Sequence, residues 1–377
     1  MKPRRVLAVA RKEFLHVLRD PRSLGMAIAI PMLMLILFGY ALTLDVDRVP
    51  MVVWDQSGTH TSDDFVSRFA GSRYFTIVGQ VSDYGEIERA IDRRRAKVAL
   101  VIPYDFSDRV ESARRTTVQM IVDGTDSNTA SIILAYAEAV TGTYSQEVAL
   151  DMLRRAGVPP VRQPLDFRPR VWFNSDMESK NYIVPGLIAV IMMVIAALLT
   201  SLTVAREWEQ GTMEQLISTP VGGRELVFGK LIPYFAIGML DVLLAVLMGE
   251  FLFDVPLRGD IALLFGMSSV FLVGTLAMGM LVSIAAKSQL LASQVAMVAT
   301  FLPAFLLSGF MFAIANMPKP IQAITYVVPA RYFISLLKGI YLKGVGLQIL
   351  AAEAGLLTVY AVLMLLLANV KFKKKLG

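Results

Sequence analysis

The chain has 377 residues, of which 55% are hydrophobic and 18% are charged, against about 25% charged residues in soluble domains, so its composition is that of an integral membrane protein. It contains no cysteine and only two histidines, His16 and His60, which excludes disulfides, thiolate metal sites and cysteine nucleophiles and argues against a histidine metal centre. The formal net charge of +6 is explained by lysines and arginines beside membrane spans and does not predict binding to nucleic acid.

Residues 1–22 predict a basic amphipathic helix. Apolar side chains recur there at helical spacing, while most lysines and arginines fall elsewhere around the helix. Such a helix would lie in the inner membrane interface with its cations among anionic headgroups. The alternative is a basic flank of the first span with no further role. The apolar positions are Val6, Leu7, Ala10, Phe14, Val17 and Leu18.

Six apolar runs are long enough to cross the hydrocarbon core of a membrane, which takes about 20 helical residues. The first, within 23–44, is too long for a cleaved signal peptide and lacks a persuasive small-residue cleavage site, so we expect it to stay as an anchor. The other five lie within 181–377. The six runs are 24–44, 182–205, 231–253, 261–286, 290–313 and 347–370.

Basic residues predict the orientation of these spans. Seven lysines and arginines precede residue 23, and the tail KFKKKLG adds four lysines. Both termini are therefore expected in the cytoplasm, as an even number of spans requires. The segments 45–180 and 306–346 then lie outside, although four basic residues of the second segment run against this bias. They are Lys319, Arg331, Lys338 and Lys343.

Residues 45–180 predict a folded α/β domain. Short β-rich runs alternate with helical patterns, and a proline-rich linker leads back to the membrane. Asp123 and Asp126 could belong to a metal-binding loop, but an aspartate-rich turn that caps the next helix is the favoured interpretation. The sequence shows no nucleophile–base pair, which disfavours a membrane enzyme. The β-rich runs are 50–54, 75–79, 97–102 and 117–122.

The segment 206–226, REWEQGTMEQLISTPVGGREL, carries more charge than a turn between two spans needs. It begins as a helix, and Gly211 and Thr212 are expected to break that helix and cap the next. Because it lies on the cytoplasmic side, it is open to a docking partner; the alternative is a solvated polar loop. The nearest match to a phosphate-binding loop, GRELVFGKL, has the wrong glycine spacing and no Ser or Thr after Lys230, so another subunit must bind ATP if ATP is used.

Three stretches carry a resemblance to a known family. They are REWEQGTMEQLISTPVGGRELVFGK, the later LLSGFMFAIANMPKPIQAITYVVPARYFISLLKGIYLKG and the N-terminal ARKEFLHVLRDPR. These resemble the coupling loop, the last outer loop and the entry segment of ABC transporter permeases of the type-2 family, particularly the multidrug-type exporters. With six spans and a large insert after the first, the resemblance covers nearly the whole chain.

The resemblance implies that the coupling loop presents a short helix to a groove on an ATPase subunit. Its charges would set register and partner choice, while Met213, Leu216 and Ile217 would supply apolar anchors. The turn at 287–289 would be a second, smaller inner contact, or else an ordinary turn. The implied residues are Arg206, Glu207, Glu209, Gly211, Thr212, Glu214, Gln215, Leu216 and Pro220 in the loop, and Lys287, Ser288 and Gln289 in the turn.

Asp241 lies near the middle of the third span, where a lone charge costs about 3 kcal/mol or more. We therefore expect its side chain to face the helix bundle or a wet cavity. It is either a substrate or proton site, or a neutral or hydrogen-bonded aspartate that ties helices together.

The segment 306–346 predicts a re-entrant hairpin, because a break at Ser308 and Gly309 is followed by short apolar helices. By resemblance, this region closes the outer end of the substrate path. Its aromatic side chains are expected at headgroup level. They are Tyr326, Tyr332, Phe333 and Tyr341.

The predicted architecture is a polytopic α-helical membrane protein with six transmembrane helices and an α/β extracytoplasmic domain between the first two. The predicted function is that of a permease subunit of an ATP-driven exporter in a bacterial inner membrane, moving a drug, a lipid or another small amphiphile. This chain would bind no cofactor, because ATP and Mg²⁺ belong to the ATPase subunit. Its other partners would be a second permease chain, identical or a sister, the lipid bilayer and, by resemblance, a periplasmic adaptor.

Two other function classes stay open at this point. An ion- or proton-coupled transporter would work through Asp241 and need no ATPase, but it leaves the loop 206–226 unexplained. A membrane receptor would bind a ligand in the 45–180 domain, but the cytoplasmic segments are too short to carry an output domain.

Overall fold

The computed structural model describes residues 1–42, 46–112, 114–155, 170, 172–174 and 178–372, without the side chains of residues 21–23, 26 and 217. The chain divides into two compact units. Residues 1–43 and 170–377 form the first, which we call the helical unit, and residues 44–169 form the second, the sheet unit.

The described part of the sheet unit contains four strands in the order β2-β1-β3-β4, with β1 parallel to both of its neighbours and β4 antiparallel to β3. The central strand β3 reads VALVI and is buried along its whole length, as is typical of a parallel strand covered on both faces. The strands are β1 Val49–Asp55, β2 Phe75–Gln80, β3 Val98–Ile102 and β4 Gln119–Val122.

Helices cover both faces of this sheet. One face packs Met51 and Leu100 against Phe65 of α3, and the other packs Val52 and Ala99 near Ile87 of α4. The alternation of strands and helices in the sequence therefore gives a small two-faced sheet. The helices of this unit are α3 His60–Ala70, α4 Tyr84–Asp92, α5 Phe106–Glu111 and α6 Ser127–Arg155.

Among its described residues, the helical unit contains five helices that are long and apolar enough to cross a membrane: α7, α9, α10, α11 and α14. The described apolar part of α2, Ala27–Ala41, is shorter than these, so the first of the six spans stays a prediction. The helices of this unit are α1 Pro3–Arg19, α2 Pro21–Ala41, α7 Ser179–Glu209, α8 Thr212–Ser218, α9 Gly223–Phe251, α10 Ile261–Ala286, α11 Gln289–Leu306, α12 Lys319–Thr325, α13 Pro329–Lys338 and α14 Ala351–Lys371.

Helix α7 is the centre of the helical unit. Of its most apolar 18 residues, 89% are buried, against 22% for α11 and for α14. It packs closely on α10, where Thr200 Oγ1 donates a hydrogen bond to the backbone oxygen of Leu276 at 2.9 Å. Gly279 permits this approach, because a methyl group there would overlap Thr200 and the backbone of Ala197. Small residues at such a contact are typical of membrane helix packing.

The N-terminal helix α1 packs against α9. A side chain at Gly229 of α9 would overlap Val9 of α1, and Val9 and Glu13 are buried although neither belongs to the predicted apolar positions. Leu7, with 70% of its surface exposed, lies on the uncovered side of the helix together with the exposed Phe14. Helix α1 thus has a face that packs on protein and a second apolar face that is free for a lipid interface.

The structure corrects the predicted end of the fifth span. Helix α11 stops at Leu306, seven residues before the predicted end at 313, and Gly309 adopts a left-handed conformation with φ of +83°. A 3₁₀ turn at Ile314–Asn316 and the short helices α12 and α13 follow.

Four aromatic side chains of this segment were predicted to lie at lipid headgroups. The prediction is wrong for Phe333, Tyr341 and Tyr332, which are buried in the protein core. Phe333 is fully buried and stacks on Phe271 with ring centroids 4.0 Å apart, and Tyr341 is also fully buried. Tyr332 is buried, whereas Tyr326 is 58% exposed. Aromatic enrichment near a span end indicates either headgroup contact or core packing, and sequence alone did not distinguish the two.

Candidate functional site

The segment 206–226 continues α7, turns once and forms a short helix. Helix α7 ends at Glu209, Gly211 takes a left-handed conformation with φ of +73°, and α8 runs over Thr212–Ser218 before α9 begins at Gly223. Gly211 breaks the helix as predicted, because this conformation costs an L-residue about 1–2 kcal/mol. Thr212 does not cap α8; its hydroxyl donates instead to the backbone oxygen of Glu207, 3.4 Å away.

An ionic cluster, which we call the buried ionic cluster, lies beside this segment. It is formed by the buried Glu13, Glu207, Lys230 and Tyr234 and the exposed Lys12. Lys230 Nζ is 2.9 Å from Glu207 Oε1 and 3.4 Å from Glu13 Oε2, and Lys12 Nζ is 3.1 Å from Glu207 Oε1. The Tyr234 hydroxyl donates to Glu13 Oε1 at 3.1 Å. Two ammonium groups face two carboxylates, so the charges of the cluster balance.

The resemblance implies residues that either form or shape the docking contact, and the cluster places Glu207 among those that would shape it. Its side chain is buried and bound to Lys12 of α1 and Lys230 of α9, so it shapes the loop and is not available for direct contact with a partner. Burying ions is expensive unless they are paired. The cluster therefore ties α1, α7 and α9 together where α7 leaves the bundle.

A second set of contacts holds the other end of the segment. The backbone N–H of Lys2 donates to Glu225 Oε1 at 2.6 Å, and that of Gly222 donates to Glu225 Oε2 at 2.9 Å. Arg5 donates to the backbone oxygen of Pro220 and lies 3.8 Å from Glu225. Helix α1 thus binds the segment both before and after α8.

The turn at 287–289 lies against the end of α7. Glu209 Oε2 accepts hydrogen bonds from the backbone N–H and the side-chain amide of Gln289, at 2.9 and 3.2 Å, and Arg206 Nε lies 3.4 Å from Gln289 Oε1. Lys287 Nζ is 5.1 Å from the centroid of the Trp208 ring. The segment 206–226 and the turn at 287–289, which were predicted as two separate inner contacts, therefore belong to one surface.

The remaining predicted residues divide into exposed and covered ones. Gly211, Glu214, Gln215 and Pro220 are exposed, and Ser288 begins α11 without a side-chain cap. Met213 is only 2% exposed and Leu216 packs on the same core. The expectation that Met213 is an apolar anchor for a partner is therefore wrong in this structure, and the side chain of Ile217 lies outside the described part. The surface that α8 offers is mainly polar.

Sequence reasoning missed Glu13, Glu225 and Lys230. Glu13 is an acid in an otherwise basic helix, and Lys230 is a cation at the start of an apolar run. These two residues could have been noticed in the sequence, because the charge of each differs from the character of the residues around it. Their pairing could not be read from the chain, because Glu13 and Lys230 are 217 positions apart.

Asp241 is separate from this site. It lies on α9, about 16 Å along the helix from Lys230 by the rise of 1.5 Å per residue. Its side chain is 1% exposed, and its Oδ1 finds no hydrogen-bond partner among the described residues. The structure thus places the side chain inside the bundle, as expected, and its Oδ1 makes no hydrogen bond to a second helix in the described part of the chain. Both predicted roles of Asp241 stay open.

The aspartate-rich turn of the sheet unit caps a helix. Asp123 accepts hydrogen bonds from the hydroxyl and the N–H of Thr125, and these bonds hold the pKa of its carboxyl below the ordinary value. Hydrogen bonds from Thr129, chiefly from its hydroxyl, likewise lower the pKa of Asp126 at the start of α6. Both carboxylates are engaged by the turn itself, and within the described residues no three acidic, histidine or cysteine side chains group as metal ligands.

Comparison with known proteins gives a family match and several relatives. The family model described as ABC-2 family transporter protein matches residues 21–370, which include both loop surfaces and the whole sheet unit. The match begins after α1, although α1 supplies Lys12 and Glu13, two of the five residues of the buried ionic cluster.

Relatives match the chain over nearly its full length. It is 40% identical to a probable multidrug ABC transporter permease, YbhS, of Escherichia coli K12, over 99% of this chain and 98% of that protein. It is 30% identical to a second permease of the same description, YbhR, over 92% of each chain. The linearmycin resistance permease protein LnrN of Bacillus subtilis is 22% identical over 95% of this chain and 96% of its own.

Proposed function

The chain belongs to the ABC-2 family of transporter proteins, and from that membership we propose that it is the transmembrane permease subunit of an ATP-driven exporter. Permeases of this family work with an ATPase subunit. ATP and Mg²⁺ would be bound, and ATP hydrolysed, on that subunit, and this chain would contribute the membrane path.

The observation that carries the proposal is the way α8 is held. Two carboxylates fix the segment: Glu207 before α8 through ion pairs, and Glu225 after it through hydrogen bonds from backbone N–H groups. Glu214 and Gln215 on α8 stay exposed. A solvated turn needs no such anchoring. A short helix that is fixed at both ends and polar on its free face supports docking of a charged partner surface.

The same contacts would transmit movement of the ATPase subunit to the membrane helices. An ATPase that shifts α8 would also shift α7 and α9, because the buried ionic cluster joins these helices to α1. Closely packed helices move as rigid bodies, since packed cores do not deform continuously. ATP-driven closure of the partner would thus bias the membrane helices between inward-open and outward-open states.

The cargo and the assembly follow as further parts of the proposal. Two relatives are named for multidrug transport and one for linearmycin resistance, which supports a drug or another small amphiphile as cargo. Six spans make half of a translocation path, so two chains would pair, as identical or sister permeases. In a bacterial inner membrane with both termini cytoplasmic, the sheet unit would be extracytoplasmic, where it could receive cargo or dock an adaptor.

The direct test is a mild-detergent purification of the tagged chain from its own cells, with wild type compared with Glu214→Lys. The matched control is Glu88→Lys, the same charge reversal on an exposed position of the sheet unit. Placing a like charge in a polar interface costs several kcal/mol. We therefore expect the ATPase subunit retained by Glu214→Lys to fall about tenfold or more, and that retained by the control to equal wild type.

Two results would count against the proposal. Equal retention by all three proteins would remove α8 from the docking surface. Absence of any ATPase with wild type under several detergents would contradict the exporter itself, and the unpartnered carboxylate of Asp241 would then favour an ion- or proton-coupled transporter.

A further inference from the structure

A pocket lies at the end of α13, away from the ionic cluster. It has a volume of about 400 Å³ and is lined by residues of α13 and α14 and of the segment between α11 and α13. Its charged lining residues are Arg331, Lys338 and Glu353. Burial lowers the pKa of the Lys338 ammonium to about 7, so the named lining carries one positive charge in excess when Lys338 is protonated.

The two cations of this pocket lie on aromatic rings. Arg331 Cζ is 3.9 Å from the centroid of Tyr326, and Lys338 Nζ is 3.3 Å from that of Tyr182. Within the described residues neither has a carboxylate within 4.0 Å, although Glu353 lines the same pocket. Arg331 also donates to the Thr325 hydroxyl. Most of the guanidinium donors and all three of the ammonium donors are thus left for another acceptor.

The aromatic partners are themselves held in place. The Tyr182 hydroxyl donates to the backbone oxygens of Gly309 and Phe310, each at 3.0 Å, and the Tyr332 hydroxyl donates to that of Tyr326 at 2.6 Å. The Tyr182 ring on which Lys338 lies is therefore fixed before any ligand arrives, and Arg331 is held by its hydrogen bond to the Thr325 hydroxyl. A preformed pair of donors loses little freedom on binding an anion.

One part of the pocket wall is apolar. Ile314 and Leu356 line it, and Leu356 begins an exposed apolar face of α14 that continues to Val359 and Leu363. A charged head and an apolar tail would both be accommodated there. Free inorganic anions would leave this apolar part of the wall unused.

We infer that this pocket binds the phosphate or carboxylate head of an anionic amphiphile, with Arg331 and Lys338 contacting the head and the apolar tail lying along Leu356. The inference also accounts for the basic residues of 306–346 that run against the charge bias of the spans, since two of the four line the pocket. Guanidinium and ammonium groups over aromatic rings form strong charge-assisted bonds to such oxygens.

An amphiphile of this kind could come from the bilayer or from the cytoplasm as cargo, and two arms separate these sources. The first measures phosphatidylglycerol and phosphatidylethanolamine retained per chain by the purified protein after detergent exchange. The second adds dodecyl phosphate, with dodecylphosphocholine as the zwitterionic control, and follows the rise in thermal unfolding temperature that binding produces. Neither arm requires the ATPase, so its result stands independently of the docking test.

The variants are Arg331→Gln with Lys338→Gln, and Ser335→Trp, which blocks the pocket from an exposed position and keeps both cations. The control is Lys319→Gln, which removes a nearby charge outside the pocket. A hydrogen bond to a charged group corresponds to about a tenfold change in binding. We expect the apparent affinity for the anionic probe to fall at least tenfold in both pocket variants and to stay unchanged in the control.

Retention of phosphatidylglycerol that depends on the pocket would assign the site to a bilayer lipid. Pocket-dependent binding of dodecyl phosphate without retained phosphatidylglycerol would assign it to a free amphiphile. Equal binding by wild type and Ser335→Trp, or equal binding of the zwitterionic probe, would overturn the inference even if the double variant failed to fold.

Discussion

The two ends of α7 hold their charges in different ways. At the C-terminal end, Glu207 meets Lys12 and Lys230, and every cation of the buried ionic cluster has a carboxylate partner. At the N-terminal end, Tyr182 lies beneath Lys338, and no carboxylate is within 4.0 Å of that ammonium in the described parts of the chain. The first arrangement fixes helices, and the second leaves a cation free to take a ligand.

The largest loss of stability is expected at the C-terminal end of α7, where the charges of the buried ionic cluster balance. Lys230→Met would leave Glu13 and Glu207 buried with too little positive charge, and breaking a buried pair in this way costs about 3–5 kcal/mol. We expect a large fall in the thermal unfolding temperature of the purified chain. Lys12→Met is the control, because its side chain is 54% exposed and such a pair contributes at most about 1 kcal/mol.

A double variant sharpens this test. Adding Glu13→Gln to Lys230→Met removes one of the two stranded carboxylates and should restore part of the lost stability. If Lys230→Met lowered the unfolding temperature no more than Lys12→Met, the cluster would stabilise the chain only as much as a surface ion pair does. The contrast between the two ends of α7 would then be lost.

A smaller effect is expected midway, where α7 packs on α10. Gly279→Ala would place a methyl group against Thr200 and the Ala197 backbone, and overpacking costs about 1–3 kcal/mol. Gly266→Ala is the matched control in the same helix, since a methyl group there meets nothing within 4 Å. The measurement is again the unfolding temperature of each purified variant. Equal stability of the two variants would mean that the helices can move apart at no cost.

The smallest loss of stability is expected at the N-terminal end of α7, where Lys338 lies on the Tyr182 ring. Lys338→Met removes a cation from the Tyr182 ring, worth about 1 kcal/mol, and strands no paired carboxylate. Its unfolding temperature should stay close to that of Lys319→Met, a surface control. A loss as large as that of Lys230→Met would show that Lys338 has a structural role and would remove the difference between the ends.

Much of the helical unit could be predicted from hydropathy. The spans at 182–205, 231–253 and 261–286 lie within helices α7, α9 and α10 or overlap them closely. The fifth was extended too far because hydropathy counts apolar residues, whereas the break predicted at Ser308 and Gly309 lies close to the actual end of α11 at Leu306. The exposed parts of the site were also predictable, because Glu214 and Gln215 lie in a charged connection between spans.

The rest of the site depends on contacts between distant residues. The helical spacing predicted α1, but its buried face includes Glu13, whose partners Lys230 and Tyr234 lie more than 200 positions away. Met213 looked like an exposed anchor because the sequence does not show that the core of the unit extends beneath α8. Local sequence patterns therefore predicted the helices, whereas contacts between distant residues determine which side chains stay exposed for a partner.

The length of chain between Glu13 and Lys230 also sets an order of assembly during synthesis. A ribosome adds about 5–20 residues per second, so the 217 positions between them correspond to about 10–40 s. For that time α1 exists without α9, and its carboxylate has no ammonium to meet. During that time the exposed apolar side chains Leu7 and Phe14 would have to be covered by something other than α9, and the membrane surface is the predicted place.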